Sequence, residues 1–179
     1  MDVVIAIHYK ELGKIANTAK LVPSVLTNSQ LRIHPTENPS VMDAISQAAT
    51  HPVVLWPGEG SVPARDYRAQ TMHTGHITML VLDGTWRQVK SMARHYSWLP
   101  RVHITDELLA QGAARPHLRS EVRQHGACTA EAIAIALSAL GEPQCSQPIL
   151  DAIEELNALA ARGALGSPRH AKRSPHAAS

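Results

Sequence analysis

The feature that most restricts this chain is the run Ile77–Leu82, six consecutive apolar or β-branched residues closed by Asp83-Gly84. A run without polar alternation needs cover on both faces, as in a strand inside a parallel sheet. Thr85-Trp86-Arg87-Gln88 then fits a capping box, in which a hydroxyl and an amide serve the first unpaired N–H groups of a helix. Trp86, Val89, Met92 or Ala93, and Tyr96 recur at helical spacing, with Arg87, Lys90, Ser91 and Arg94 on other faces. The stretch predicts strand, turn and helix. Its carboxylate, Asp83, closes a buried strand where open α/β sheets place their ligands.

The rest of the chain repeats this grammar. Val3 to Ile7 reads as a first buried strand ending at His8-Tyr9-Lys10-Glu11, and Gln30 to Ile33 as a second, closed by His34-Pro35. Between them Asn17-Thr18 precedes Ala19 to Leu26, a short helix that Pro23 must start or kink. Ser40 to Ala49 reads as an amphipathic helix. Val53 to Trp56 is another apolar strand, broken by Pro57-Gly58-Glu59-Gly60, whose glycines allow close backbone approach or φ > 0. Arg65 and Arg68 fall in a short helix or irregular connection. Val102 to Ile104 and Leu118 to Val122 are short strands, the latter carrying Arg119 and Arg123. Thr129 reads as the N-cap of a helix with Ile133, Leu137 and Leu140 on one face, and Pro148 to Ala161 as a last helix. The expected class is α/β, a mostly parallel sheet flanked by helices. Residues 1–162 form one domain, and 163–179, rich in Gly, Pro, Ser, His and basic residues, a disordered basic tail.

Composition excludes several classes. Cys128 and Cys145 lack the spacing of a zinc module or disulfide framework, so a reducing compartment, the cytoplasm, fits best. The apolar start reaches only Ile7 before His8, Lys10 and Glu11 interrupt it, too short for a signal peptide or membrane span. Net charge is +2. That permits RNA binding without demanding it, since an electrostatic footprint depends on clustering.

Asp83-Gly84-Thr85-Trp86, with the apolar strand before it and Arg87-Gln88 and Met92 after it, resembles the signature of the DTW-domain family. Three weaker clusters occur in that family's order: His8, Glu11, Asn17, Thr18 and Leu21; the Pro57-Gly58 turn; and Leu118, Arg119, Cys128, Thr129, Glu131 and Ala132. Tyr9 stands where the family usually has proline. The N-terminal cysteine cluster of many bacterial relatives has no counterpart here, so no metal is expected, and which tRNA and uridine are modified is left open.

The resemblance implies a tRNA-uridine aminocarboxypropyltransferase using S-adenosylmethionine (SAM) as co-substrate. It also implies a SPOUT-like fold with a C-terminal trefoil knot, and tRNA as partner with no membrane. The implied co-substrate site gathers Leu55, Trp56, Pro57, Gly58, Leu82, Asp83, Gly84, Trp86, Ala127, Cys128, Thr129 and Glu131 into one crevice. The helix start at Thr129 would favour the SAM carboxylate, and Glu131 its ammonium. Asp83, Thr85 and Trp86 are the expected catalytic residues, and His8, Arg87, Lys90, Arg94 and Arg119 the RNA contacts. Asp83 acts on the uridine N3–H, as base if burial raises its pKa and as an orienting acceptor otherwise. Trp86 either stacks on the target base, walls the co-substrate, or is a core residue of its helix. His8 and Glu11 suit a site or a solvated strand end, and Asn17 and Thr18 a site or a cap. Two other functions remain open, a SPOUT-like RNA methyltransferase and a non-catalytic RNA-binding domain.

Overall fold

The computed structural model describes residues 1–14, 17–34, 40–47, 51–71, 75–112 and 127–162. Its centre is one sheet of six strands: β1 (Asp2–His8), β2 (Ser29–His34), β3 (His51–Leu55), β4 (Val62–Pro63), β5 (Ile77–Asp83) and β6 (Arg101–His103). They lie in the order β2-β1-β5-β3-β6-β4, and every pair is parallel. The helices are α1 (Val22–Val25), α2 (Ser40–Gln47), α3 (Ala64–Thr71), α4 (Trp86–His95), α5 (Asp106–Gly112), α6 (Thr129–Ala139) and α7 (Pro143–Ala161). The fold is α/β, a parallel sheet flanked by helices, as the uninterrupted apolar strands require.

All seven residues of β5 are buried. Ile77, Met79 and Val81 enter a core shared with Ala19, Val22, Tyr67 and α6, while Leu80 and Leu82 enter a second core with α2 and α4. The period-2 alternation of side chains thus feeds two hydrophobic layers from one strand. Truncating Leu80 to alanine in such a layer costs about 2–5 kcal/mol.

The chain leaves β1 for the edge strand β2 through a 3-10 turn, Thr18–Leu21, and α1, on the first face. It leaves β5 for β6, on the other side, through α4 on the second face. Adjacent strands therefore send their connections to opposite faces and opposite edges. The gap between their carboxyl ends is the switch point at which open parallel sheets bind ligands.

Several expected elements shift. The segment from Ala19 to Leu26 is the 3-10 turn running into α1, with Pro23 in the first turn, where its missing N–H costs nothing. Trp56 lies just outside β3, although its N–H still donates to the Val102 carbonyl at 2.9 Å. The last helix starts at Pro143, not Pro148, which sits inside it. A proline there removes one helical bond; Ile149, Leu150 and Ile153 compensate by packing into the core. β4 and α5 have no apolar run long enough to announce them. The expected strand Leu118 to Val122, with Arg119, and the tail from residue 163 lie outside the described residues. None of the helices described is long and apolar enough to cross a membrane.

Candidate functional site

At the carboxyl end of β5, Asp83 is only 5 % exposed. Its Oδ2 accepts a 2.6 Å hydrogen bond from Asn17 Nδ2, and its Oδ1 a 2.5 Å bond from the Thr129 hydroxyl. The donors come from the connection after β1 and the first residue of α6. Burial without partners would expel a carboxylate; two donors, one per oxygen, keep it. The N-cap of α6 is Cys128, and Thr129 is the first helical residue. This corrects the expectation of a Thr129 cap: the residue sits one position inside the helix, and its hydroxyl donates to Asp83. Asn17 does cap, accepting the Ala19 N–H on Oδ1 at 2.9 Å, and serves the site with its amide nitrogen as well. Only the capping half of that role is legible in the sequence, because the other half depends on a residue far along the chain.

The turn beyond Asp83 is narrow. A Cβ on Gly84 would lie 3.0 Å from Gln88 Oε1 and 3.4 Å from His8 Cβ, so glycine lets the end of β1 and the start of α4 close over the strand end. Thr85 and Gln88 form the capping box, with Gln88 Oε1 accepting from the Thr85 N–H at 2.6 Å and from its hydroxyl at 2.8 Å. Gln88 thereby holds Thr85 at the start of α4.

Trp86 departs from the helical stripe. Val89, Met92, Ala93 and Tyr96 are buried as their spacing requires, but Trp86 is 68 % exposed, which overturns its core reading. In the first turn the helix has not yet reached the sheet, so the side chain clears the core. Its ring meets that of Trp56, the residue after β3, at 6.0 Å between centroids and 55° between planes. Arg87, Lys90 and Arg94 are also exposed on α4. The Trp86 ring and these cations are accessible on α4, while Trp56 is half-buried against the second core.

The loop after β3 is tied to β6. Gly60 has φ of +74°, a conformation that requires glycine. The Ser61 hydroxyl bonds His103 Nδ1 at 2.9 Å, and Arg101 donates to the Glu59 carbonyl at 3.3 Å. Pro57 and Gly58 stay exposed at its tip. Leu55 and Cys128 pack against the first core and Leu82 lies in the second. Ala127 is half-buried beside Cys128.

Glu131 takes a different position. It is buried on α6 and lines a cavity of about 430 Å³ with Arg65, Gln111, Ser138 and Ser146, a set that does not include Asp83 or Thr129. Glu11, also buried, pairs with Lys14 at 2.7 Å. His8 ends β1 half-buried, accepts the Lys10 N–H on Nδ1 at 3.3 Å and stacks on Tyr9. Its register partner His34 contacts Tyr96, Nδ1 to Oη 3.1 Å, and the ring of His95. Burial first, then the neighbouring His95 and His8, pushes the His34 pKa below its ordinary value; burial pushes the Tyr96 phenol up to about 12. This imidazole cluster had no signal in the sequence, because its members come from β1, β2 and α4.

The arrangement is that of an α/β protein with a candidate site at the switch point of a parallel sheet, where a clamped carboxylate lies near an aromatic pair, one ring exposed and the other half-buried. Residues 1–160 match the family model for the DTW domain, and the chain belongs to that family. It matches no curated protein and no solved structure with significance. Membership is consistent with a role in tRNA modification.

Proposed function

We propose that this chain is a tRNA-uridine aminocarboxypropyltransferase that uses SAM as co-substrate. The observation that carries the reading is the pairing, across one short turn, of a buried carboxylate at Asp83 with an exposed indole at Trp86. In the reaction, uridine N3 forms a bond to the γ-carbon of the amino-acid chain of SAM. The bond from that carbon to sulfur breaks, sulfur keeps the electron pair as neutral methylthioadenosine, and the N3 proton leaves.

The residues suit these demands. An anion against the sulfonium would favour the charged ground state, whereas one against N3–H acts on the group that must lose a proton. Asp83 takes the second place. Each of its oxygens holds one hydrogen bond and keeps lone-pair capacity for another. Trp86 supplies the π-face for an unstacked uracil, with Trp56 as the second wall. Arg87, Lys90 and Arg94, with His8 at the end of β1, take the RNA phosphates.

The loops after β3 and β5 and the start of α6 adjoin, so Leu55 to Gly58, Leu82 to Gly84 and Ala127 to Thr129 form the border that would hold SAM. The helix start favours its carboxylate. Glu131 opens onto the cavity beside α5 and takes no part. A SPOUT-like fold with a C-terminal knot belongs to the same reading.

Incubation with SAM and bulk tRNA tests the proposal by mass spectrometry. Methylthioadenosine and an aminocarboxypropyl-uridine nucleoside are expected. S-adenosylhomocysteine would instead make the chain a methyltransferase, and absence of SAM binding and turnover would leave an RNA-binding domain.

A further inference from the structure

We propose that Asn17 and Thr129 are the positioning residues of this site, a pair of neutral donors that fixes which edge of the Asp83 carboxylate meets the substrate. The inference rests on the reading of Asp83 given above, and it assigns roles that the helix-capping appearance of both residues conceals. Asn17 has no freedom to turn its amide over. Its Oδ1 is committed to the Ala19 N–H at 2.9 Å, so Nδ2 must be the atom 2.6 Å from Asp83 Oδ2. Thr129 has one hydroxyl proton, and it lies on the 2.5 Å line to Asp83 Oδ1. The carboxylate plane is therefore set from both sides by donors 66 and 46 residues away in sequence.

The chemistry of the donors matters as much as their number. A lysine or arginine here would hold the anion by charge and compete with a substrate N–H for its lone pairs. An amide and a hydroxyl each use one lone pair and leave the others. With the carboxylate plane held, the remaining lone pairs have a fixed direction before substrate arrives, which is the arrangement that makes an acceptor effective. The clamp also joins three parts of the fold: the connection after β1, the end of β5 and the start of α6. Loss of either donor frees the carboxylate to rotate while the rest of the binding border is retained.

The test is Thr129→Val, which keeps the side-chain shape and removes the hydroxyl, beside Thr129→Ser, which restores it, and Asn17→Ala. With SAM and tRNA, Thr129→Val and Asn17→Ala are expected to lower kcat by about tenfold to a hundredfold, the scale of a small misplacement at a reacting centre. KM for tRNA holds in both variants and KM for SAM holds in Asn17→Ala, and Thr129→Ser recovers most of kcat. Unchanged kcat in both variants, or a loss that Thr129→Ser fails to recover, overturns the inference. Thermal unfolding reads the clamp independently of turnover: Thr129→Val lowers Tm in the wild-type background and has no further effect on top of Asp83→Ala. Additive Tm losses also overturn it. A wild-type chain that consumes no SAM refutes the reaction, and the unfolding cycle then decides the clamp alone.

Discussion

The two sides of the turn after β5 are built on opposite principles. On one side Asp83 is 5 % exposed and bonded through both oxygens, one turn away from Trp86 at 68 % exposure. The carboxylate side is finished before any ligand arrives, because an anion removed from water must find its donors during folding. The indole side is unfinished: the Trp86 ring and a row of cations still face solvent, beside the half-buried ring of Trp56 6.0 Å away. Under the proposed function, the difference makes chemistry and docking separable. Changes at Asp83 should damage stability and kcat together, and changes along α4 should damage RNA affinity alone.

The strongest attack on that division is Asp83→Ala. It strands the Asn17 amide and the Thr129 hydroxyl, each costing about 1–3 kcal/mol if left unsatisfied. The expected outcome is a Tm several degrees lower together with loss of methylthioadenosine release beyond a hundredfold, measured on the fraction that remains folded. Trp86→Ala attacks the other side. Loss of one stacking surface is worth about 1–3 kcal/mol of RNA affinity, so binding assays should show roughly tenfold or more weakening. Its Tm should stay within the small range of surface changes, about 0.5 kcal/mol. A large Tm loss in Trp86→Ala would erase the distinction between the two sides.

A smaller effect tests the imidazole cluster that borders both. His34 is neutral more readily in the folded chain than in the unfolded one, since burial, His95 and His8 all lower its pKa from 6.5. The unfolded chain therefore binds the extra proton below about pH 6.5, and stability present above that value is lost as pH falls through the folded pKa. Tm measured between pH 7 and 5 should decline, and His34→Gln should flatten that decline. Tyr96 works in the opposite sense at high pH: its phenol is pushed up to about 12, so its contribution is present below pH 10 and fades as pH rises through 12. The smallest effect belongs to the cations. Lys90→Ala or Arg94→Ala should each reduce the slope of log affinity against log salt by about one, without altering kcat.

Much of this was readable before any coordinates. Ile77 to Leu82 demanded a doubly covered strand, and β5 is buried throughout. Gly84 and Gln88 marked the turn and the helix start, and both are used as their chemistry requires. Trp86 misled because periodicity assigns a face to a residue but not a neighbour for that face. In the first turn of α4 that face meets the Trp56 ring and not the core, and the Trp86 side chain stays 68 % exposed. Thr129 misled for a related reason. A threonine before an alanine-rich helix looks like a cap until the fold starts the helix at that residue and turns its hydroxyl toward a carboxylate from another strand.

Local patterns determined the strands, the turn after Asp83 and the helix that follows, because hydrophobic period and backbone geometry act over a few residues. The tertiary structure alone decided that Asn17, Asp83 and Thr129 meet, that Trp56 faces Trp86, and that His8, His34 and His95 cluster. Those encounters depend on strand order, on β1 and β3 lying on either side of β5, and no short-range preference encodes which strands become neighbours.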